Sequence, residues 1–104
     1  MSRESFQLKI KIAWSKEFLG LSIDQLSSNY QYSLTPYYFW PKTQAWEQLK
    51  LELDSKFWLK TDEKIRALKV VGDIMNYWFL YRSTKTFKDL LEDFPEVDIL
   101  IFNA

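Results

Sequence analysis

Residues 5–14, SFQLKIKIAW, alternate between apolar and polar side chains. This period of two predicts a half-buried β-strand, because successive side chains of a strand point to opposite faces. The buried face would carry Phe6, Leu8, Ile10, Ile12 and Trp14, and the outer face Gln7, Lys9, Lys11 and Ala13. Residues 17–26 follow a short link and predict a second strand, which would close a hairpin with the first. Gly20 within it indicates a bulge or a close approach of the backbone.

The spacing of apolar residues changes after a polar stretch, residues 27–36, that we predict to be an irregular loop. From about Thr43 the spacing is three and four, which predicts a helix that ends near Lys56. Thr61 is a candidate N-cap for a second helix over about residues 62–82, with acidic residues in its first turn. The predicted buried stripe of this helix is Ile65, Leu68, Val71, Met75, Trp78 and Phe79.

The C-terminal part predicts two short elements. Residues 86–94 favour a third helix that stops at Pro95, because proline cannot continue a helix. Residues 97–102 have a β-like pattern and would pair onto the hairpin or lie against a partner. Together the elements predict an α+β fold in one domain, residues 1–104, with an antiparallel hairpin or small sheet packed against two main helices.

The composition excludes several kinds of chemistry. The chain has 104 residues and neither histidine nor cysteine, which excludes a Ser-His-Asp triad, a thiolate nucleophile and the usual zinc ligands. Its two glycines stand alone, so there is no phosphate-binding glycine loop. The acidic pairs Asp62-Glu63 and Glu92-Asp93 are neighbours in predicted helices and do not face each other. We therefore expect no enzyme, no cofactor, no metal and no small-molecule substrate.

Charge and hydropathy also limit the partners. Fourteen basic and fourteen acidic residues give a net charge of zero, so any nucleic-acid contact would have to be a local patch. The longest apolar run is far shorter than the ~20 residues that span a bilayer, and we expect no membrane partner. The stretch MSRESFQLK has the features of neither a signal peptide nor a transit peptide. We expect the protein to act where it is made, unless an import segment has been removed.

The basic residues divide by whether a carboxylate lies near them in sequence. Six pairs in predicted helices have i,i+4 spacing: Lys50–Asp54, Glu52–Lys56, Asp62–Arg66, Lys69–Asp73, Lys85–Asp89 and Lys88–Glu92. Such pairs are worth only a few tenths of a kcal/mol but lower the local positive potential. Four cations lack such a partner and are our candidates for phosphate contact: Lys9, Lys11, Lys42 and Arg82. Lys9 and Lys11 would lie roughly 7 Å apart on one strand face, which is also what an ordinary solvent-facing strand presents.

The segment LTPYYFWPKTQAW, residues 34–46, is dominated by aromatic residues. Phe39, Trp40 and Trp46 favour a role in the core, where they would anchor the segment against the first helix. Tyr37 and Tyr38 are candidates for an exposed contact with another protein, since tyrosine buries a large area and loses little side-chain entropy. Stacking on unpaired bases is the alternative for these rings.

Residues 34–59, LTPYYFWPKTQAWEQLKLELDSKFWL, resemble the plastid-specific ribosomal protein 3 family of the small subunit, which occurs in chloroplasts and cyanobacteria. The resemblance is carried by the proline-bounded run YYFWP, by the following AWEQLK, and by IMNYW at residues 74–78. The upstream stretches KIKIAW and IDQL are also similar, so the resemblance covers residues 6–79.

This resemblance implies a structural component of the small (30S) subunit of the chloroplast-type ribosome. Its partners would be 16S rRNA and neighbouring ribosomal proteins, and no catalytic residues carry over. The implied location is the chloroplast stroma or a cyanobacterial cytoplasm, and because MSRESFQLK lacks transit-peptide features we expect a plastid gene in the first case. Because the chain is neutral, whereas most ribosomal proteins are strongly basic, we expect a peripheral position. The alternative function is a transient factor in ribosome assembly or in the regulation of translation.

Overall fold

Strands and helices are both present in the computed structural model, which describes residues 7–27, 29–84, 87–95 and 98–101. The strands are β1 Gln7–Trp14, β2 Leu19–Leu26, β3 Gln31–Ser33, β4 Tyr38–Trp40 and β5 Asp98–Ile101. The helices are α1 Ala45–Asp54, α2 Thr61–Tyr81 and α3 Phe87–Asp93. The predicted α+β class is confirmed. Of the sequence expectations, those for Ser5, Phe6, Thr86, Val97 and Phe102 fall outside the described residues.

The sheet is built around the β1–β2 hairpin. These strands pair antiparallel from Gln7 opposite Leu26 to Trp14 opposite Leu19, as the alternating pattern predicts. β5 pairs parallel to β1, so the tail joins the hairpin directly. β3 and β4 both pair antiparallel with β2, at its end and its start respectively. The prediction of an irregular loop over residues 27–36 is therefore wrong for β3, and the aromatic run that follows forms a strand.

The core lies between the sheet and the helices. The hairpin contributes Ile10, Ile12, Trp14, Leu19, Leu21 and Ile23, and α1 and α2 contribute Leu49, Leu53, Leu68, Val71, Ile74 and Trp78. Most of these side chains are fully buried, and each is worth roughly 1.5–3 kcal/mol of transfer free energy. Trp78 also makes a polar contact, because its Nε1 donates to the Ser15 carbonyl at 2.7 Å. That bond holds α2 against the β1–β2 turn.

Helix α2 differs from the sequence prediction in its N-cap residue and in two residues of its buried face. Lys60 is its N-cap residue and Thr61 is already helical, so Thr61 is not the cap. Ile65 and Phe79 are 61% and 65% exposed, and their prediction as buried residues is wrong. At 100° per residue, Ile65 lies about 120° around the helix from Val71. The buried face is completed by Ala67 and Ile74 instead.

The third helix docks through one buried leucine and a ring contact. Leu90 is fully buried, and the Phe94 ring lies edge-on to Tyr77 of α2 with centroids 5.5 Å apart. The helix ends at Asp93, before Pro95, as the sequence predicts.

The outer face of the sheet is covered where β4 pairs with β2. Gly20 lies opposite both Ala13 of β1 and Phe39 of β4. A Cβ atom on Gly20 would lie 2.8 Å from Phe39 Cε1 and 2.9 Å from Ala13 Cβ. The register runs through Gly20 without a bulge, so close approach is the correct one of the two predicted explanations. Phe39 covers this outer face and does not belong to the core.

Gly20→Ala should destabilise the fold by about 1–3 kcal/mol, because Ala13 Cβ is fixed by the backbone and the Phe39 ring would have to move. Urea unfolding measures the change. Gly72→Ala in α2 is the matched control, since its new Cβ would lie 3.8 Å from Trp46 Nε1, an ordinary van der Waals distance. Removing a helical glycine there should stabilise by about 0.5–1 kcal/mol. Equal effects at the two positions would contradict this account of Gly20.

Candidate interaction surfaces

The four predicted phosphate-binding cations lie in two places. Lys9 and Lys11 are on the outer face of the sheet, where both are partly buried. Lys42 and Arg82 lie at the end where β1 turns into β2. The structure thus does not gather the four into one patch, and each group has to be considered separately.

Lys11 is already paired. Its Nζ lies 3.2 Å from Asp24 Oδ2 on β2, and the Asp24 side chain is only 5% exposed. Gln31 Nε2 donates to the same oxygen at 2.7 Å. Lys11 Nζ also lies 5.5 Å from the centroid of the Tyr37 ring. Lys9 faces Asp24 directly in the strand register. The Asp24 carboxylate near Lys9 and Lys11 belongs to the neighbouring strand β2. A search for oppositely charged residues at i,i+4 along the sequence therefore does not find it.

Three cations lie toward the turn end of the hairpin. Trp40 pairs with Leu19, so the chain continues past the start of β2 to the exposed Lys42. The Arg82 guanidinium carbon lies 4.8 Å from the centroid of the Trp78 ring. Because Trp78 is bonded to Ser15, Arg82 lies close to the turn that presents the exposed Lys16. We call Lys16, Lys42 and Arg82 the turn-end cations. Sequence reasoning missed Lys16.

The helical ion pairs agree in part with the predicted spacing. Lys50–Asp54, Lys56–Glu52 and Lys69–Asp73 form at 2.8, 3.4 and 3.5 Å. Arg66 lies 3.5 Å from Glu63 at i,i+3, where the spacing predicted Asp62 as its partner. The predicted pairs of Lys85 and Lys88 involve side chains outside those described.

The two candidate interface tyrosines differ in their surroundings. Tyr38 is half-buried against the core, and its hydroxyl donates to Glu52 Oε2 of α1 at 2.7 Å. Tyr37 is also half-buried but stacks on Phe39, with centroids 6.2 Å apart and planes 23° apart. Phe18 meets the same Phe39 ring edge-on at 5.4 Å. Tyr38 therefore ties β4 to α1, and Tyr37 belongs to an aromatic layer on the outer face.

The two tryptophans predicted for the core, Trp40 and Trp46, are partly buried and pack against it. Trp46 Nε1 donates to the Leu68 carbonyl at 2.9 Å, so this residue joins α1 to α2. Trp46 lies in α1, as the helical spacing from Thr43 predicts, but its hydrogen-bond partner is on α2 and not in the segment that precedes α1.

A further group of exposed rings lies at the end of the sheet away from the hairpin turn. We call it the distal aromatic cluster, and its members are Tyr30, Tyr32, Phe57 and Trp58, which are 60%, 50%, 89% and 51% exposed. The tyrosine rings stack with centroids 5.6 Å apart, and the other two meet edge-on at 5.8 Å. The sequence signal for this cluster is the stretch KFWLK, residues 56–60, which places two adjacent aromatic residues in the link between two helices.

Glu52 is the carboxylate most affected by its neighbours. The Tyr38 hydroxyl and then Lys56 lower the pKa of Glu52, while its partial burial acts in the opposite direction. The same hydrogen bond raises the pKa of Tyr38. Both shifts favour the pair in which Tyr38 is protonated and Glu52 is ionised, which is a structural arrangement.

The described ranges, residues 7–27, 29–84, 87–95 and 98–101, contain neither a carboxylate cluster of the metal-binding kind nor a helix able to span a bilayer. Nowhere in these ranges do three or more aspartate or glutamate side chains come together as they would around a metal ion. None of the helices described there combines the length and apolarity needed to cross a bilayer.

Comparison with known proteins gives a consistent result. The family model of the plastid and cyanobacterial ribosomal protein (PSRP-3 / Ycf65) matches residues 34–80, which include β4, α1 and most of α2. The small ribosomal subunit protein cS23 of Gracilaria tenuistipitata var. liui is 36% identical over 90 residues, covering 86% of this chain and 91% of that protein. The protein of that name from Euglena viridis is 35% identical, covering 90% and 95% respectively. A probable cS23 of Synechococcus sp. (strain JA-3-3Ab) is 33% identical, covering 85% and 89%.

Tyr38→Phe should destabilise the fold by about 1 kcal/mol at neutral pH, because it removes a hydrogen bond to a carboxylate. The lowered pKa of Glu52 adds stability that is present above its unfolded pKa and is lost as the pH falls through the folded one. The difference between variant and wild type should therefore shrink below roughly pH 4. Urea unfolding across pH measures it, with Tyr32→Phe as an exposed control. A difference that does not change with pH would contradict the assignment.

Proposed function

This chain belongs to the family of plastid and cyanobacterial ribosomal proteins (PSRP-3 / Ycf65), and we propose that it occupies a peripheral position in the small ribosomal subunit. It is a structural protein and not an enzyme, in line with relatives named small ribosomal subunit protein cS23. The net charge of zero supports a peripheral position. A protein surrounded by rRNA on many sides would need an excess of cations to balance the phosphates.

The main observation in support of an rRNA contact is that the Arg82 guanidinium packs on the Trp78 ring. An arginine fork matches the oxygens of a phosphate, and the 4.8 Å contact with a buried ring restricts it before binding. Lys16 and Lys42 are exposed at the same end and would add to the positive potential. Glu17 in the turn limits this potential, which suits a local contact with a few phosphates. We propose that the turn-end cations bind the 16S rRNA backbone.

The outer face of the sheet is a weaker candidate for the same partner. Lys9 and Lys11 remain proposed rRNA contacts, but the Asp24 carboxylate offsets the charge of Lys11. A phosphate would have to compete with a nearly buried carboxylate that also accepts a hydrogen bond from Gln31. We therefore propose that these lysines contribute less to binding than Lys42 and Arg82.

Neighbouring ribosomal proteins are the second proposed class of partner. Tyr37 and Tyr38 remain candidates for such a contact. Tyr37 is favoured because its ring belongs to the outer aromatic layer, whereas the Tyr38 hydroxyl is engaged by Glu52. For the location, we propose the chloroplast stroma with a plastid gene, with a cyanobacterial cytoplasm as the alternative.

The double variant Lys42→Gln, Arg82→Gln should bind small subunits less tightly and with weaker salt dependence. Two lost phosphate contacts would reduce the slope of log affinity against log salt by roughly 1.4 to 1.8. The measurement is quantitative mass spectrometry of small subunits reconstituted with each variant and separated on sucrose gradients at increasing salt. Lys50→Gln, Lys69→Gln is the matched control, because both of these lysines are exposed and paired within their own helices.

An unchanged slope for the double variant, with binding close to wild type, would show that these cations do not contact rRNA. The wild-type protein in the same gradients tests the function itself. If the protein is present at close to one copy per small subunit and remains bound through a salt wash, this result supports a structural component. A much lower occupancy would favour the transient assembly factor.

A further inference from the structure

The distal aromatic cluster lies at the opposite end of the sheet from the turn-end cations. Tyr32 pairs with Gln25, near the last residue of β2, whereas the turn-end cations lie toward the first residue of that strand. Both Tyr32 and Gln25 point to the side of the sheet that the helices cover elsewhere. Tyr32 is therefore an exposed residue of the inner sheet face, and the hydrogen bond from Trp58 to Gln25 places the α1–α2 connection beside it. Neither the rRNA contact nor the outer aromatic layer uses it.

Two members of the cluster, Trp58 and Tyr30, are held by hydrogen bonds within the fold. Trp58 Nε1 donates to Gln25 Oε1 at 3.0 Å, and Gln25 is only 7% exposed. This bond links the α1–α2 connection to the sheet over a large sequence separation. The backbone N–H of Ser27 donates to the Tyr30 carbonyl at 2.8 Å, which closes the turn before β3. Rings that are fixed before binding lose little entropy when a partner covers them.

The exposed area is of the size that an interface requires. At roughly 200 Å² for each aromatic side chain, the exposed fractions of the four rings amount to about 500 Å². Patches of this size on small proteins commonly mark interaction sites. A stable protein–protein interface takes ~800 Å² from each partner, so the cluster with its polar rim is large enough to form the centre of one.

The charges around the cluster favour a protein over RNA. Lys56 is engaged by Glu52, whose carbonyl and Oε1 lie 3.0 and 3.4 Å from its Nζ. Lys60 is exposed but lies only two and three residues before Asp62 and Glu63, which are in the first turn of α2. A stacked nucleotide brings a phosphate that needs a cation nearby, and here the acidic residues offset the available lysines. Aromatic residues with few charges are the composition of a protein interface core.

We propose that the distal aromatic cluster is the docking surface for a neighbouring small-subunit protein that presents an apolar, uncharged surface. This inference rests on the proposed place of the chain in the small subunit. It assigns the two ends of the sheet to two partners, with RNA phosphates at the hairpin turn and a protein at the far end. Phe57, the most exposed ring at 89%, would be the central anchor of the protein contact.

Photo-crosslinking tests the identity of the partner. The variant Phe57→p-benzoylphenylalanine keeps an aromatic ring at the position and would be assembled into small subunits, purified and irradiated. Mass spectrometry is expected to find a crosslink to an apolar segment of one ribosomal protein. The matched control carries the same residue in place of Phe79, which is 65% exposed on α2 and outside the cluster. Crosslinks from position 57 to rRNA alone, to residues 1–6 of this chain or to a second copy would each overturn the proposal.

Binding of alanine variants tests whether the contact contributes to affinity. Phe57→Ala should weaken association with small subunits by about tenfold to a hundredfold, the range of an interface anchor, and should leave the salt slope unchanged. Phe79→Ala is the control and should bind like wild type. Because both rings are largely exposed, neither change should affect folding, which circular dichroism would check.

The outcomes separate this inference from the proposed function. If wild-type protein does not sediment with the small subunit, the proposed function itself fails. If wild type does sediment and Phe57→Ala binds as tightly as Phe79→Ala, only the docking surface is overturned. A loss of affinity that disappears at high salt would also overturn it, since that behaviour belongs to a phosphate contact.

Discussion

The close approach of Phe39 to Gly20 determines how β4 lies along the hairpin. The Phe39 ring can approach β2 this closely only because Gly20 has no Cβ atom. Once β4 is seated, its alternation directs Tyr38 toward α1 and Trp40 toward the core, and it brings Lys42 to the hairpin turn. The close packing at one glycine therefore positions both a structural hydrogen bond and a cation proposed to bind rRNA.

The aromatic run has a different use on each side of the sheet. Its rings cover the outer face through Phe39 and Tyr37 and extend the core through Tyr38 and Trp40. A strand covered on both faces reads as a continuous apolar run, so its alternation is hidden in the sequence. The same explanation applies to β2, in which residues 19–25 are all buried, including the polar Ser22 and Asp24.

Local pattern was sufficient for the hairpin, the helices and the fold class, because each depends on residues within one or two turns or strands. It was insufficient wherever the partner is distant in sequence. Lys11 has the spacing of a solvent-facing strand residue, yet the Asp24 carboxylate faces it across the hairpin. Phe57 and Trp58 stand in a helix connection, and only the bond from Trp58 to Gln25 shows that they continue the sheet surface. Ile65 and Phe79 fit an approximate helical spacing but lie outside the face that packs.

The parallel pairing of β5 with β1 separates the two strands by all three helices of the described chain. Because these helices intervene, β1 and β2 are synthesised well before residues 98–101. Until then the edge of β1 that β5 will occupy has unpaired backbone groups, which is the kind of edge that promotes association between nascent chains. Pairing between strands that lie this far apart in the sequence also slows folding. The sheet is thus completed late, and a chain that still lacks β5 has to remain soluble with one edge of β1 open.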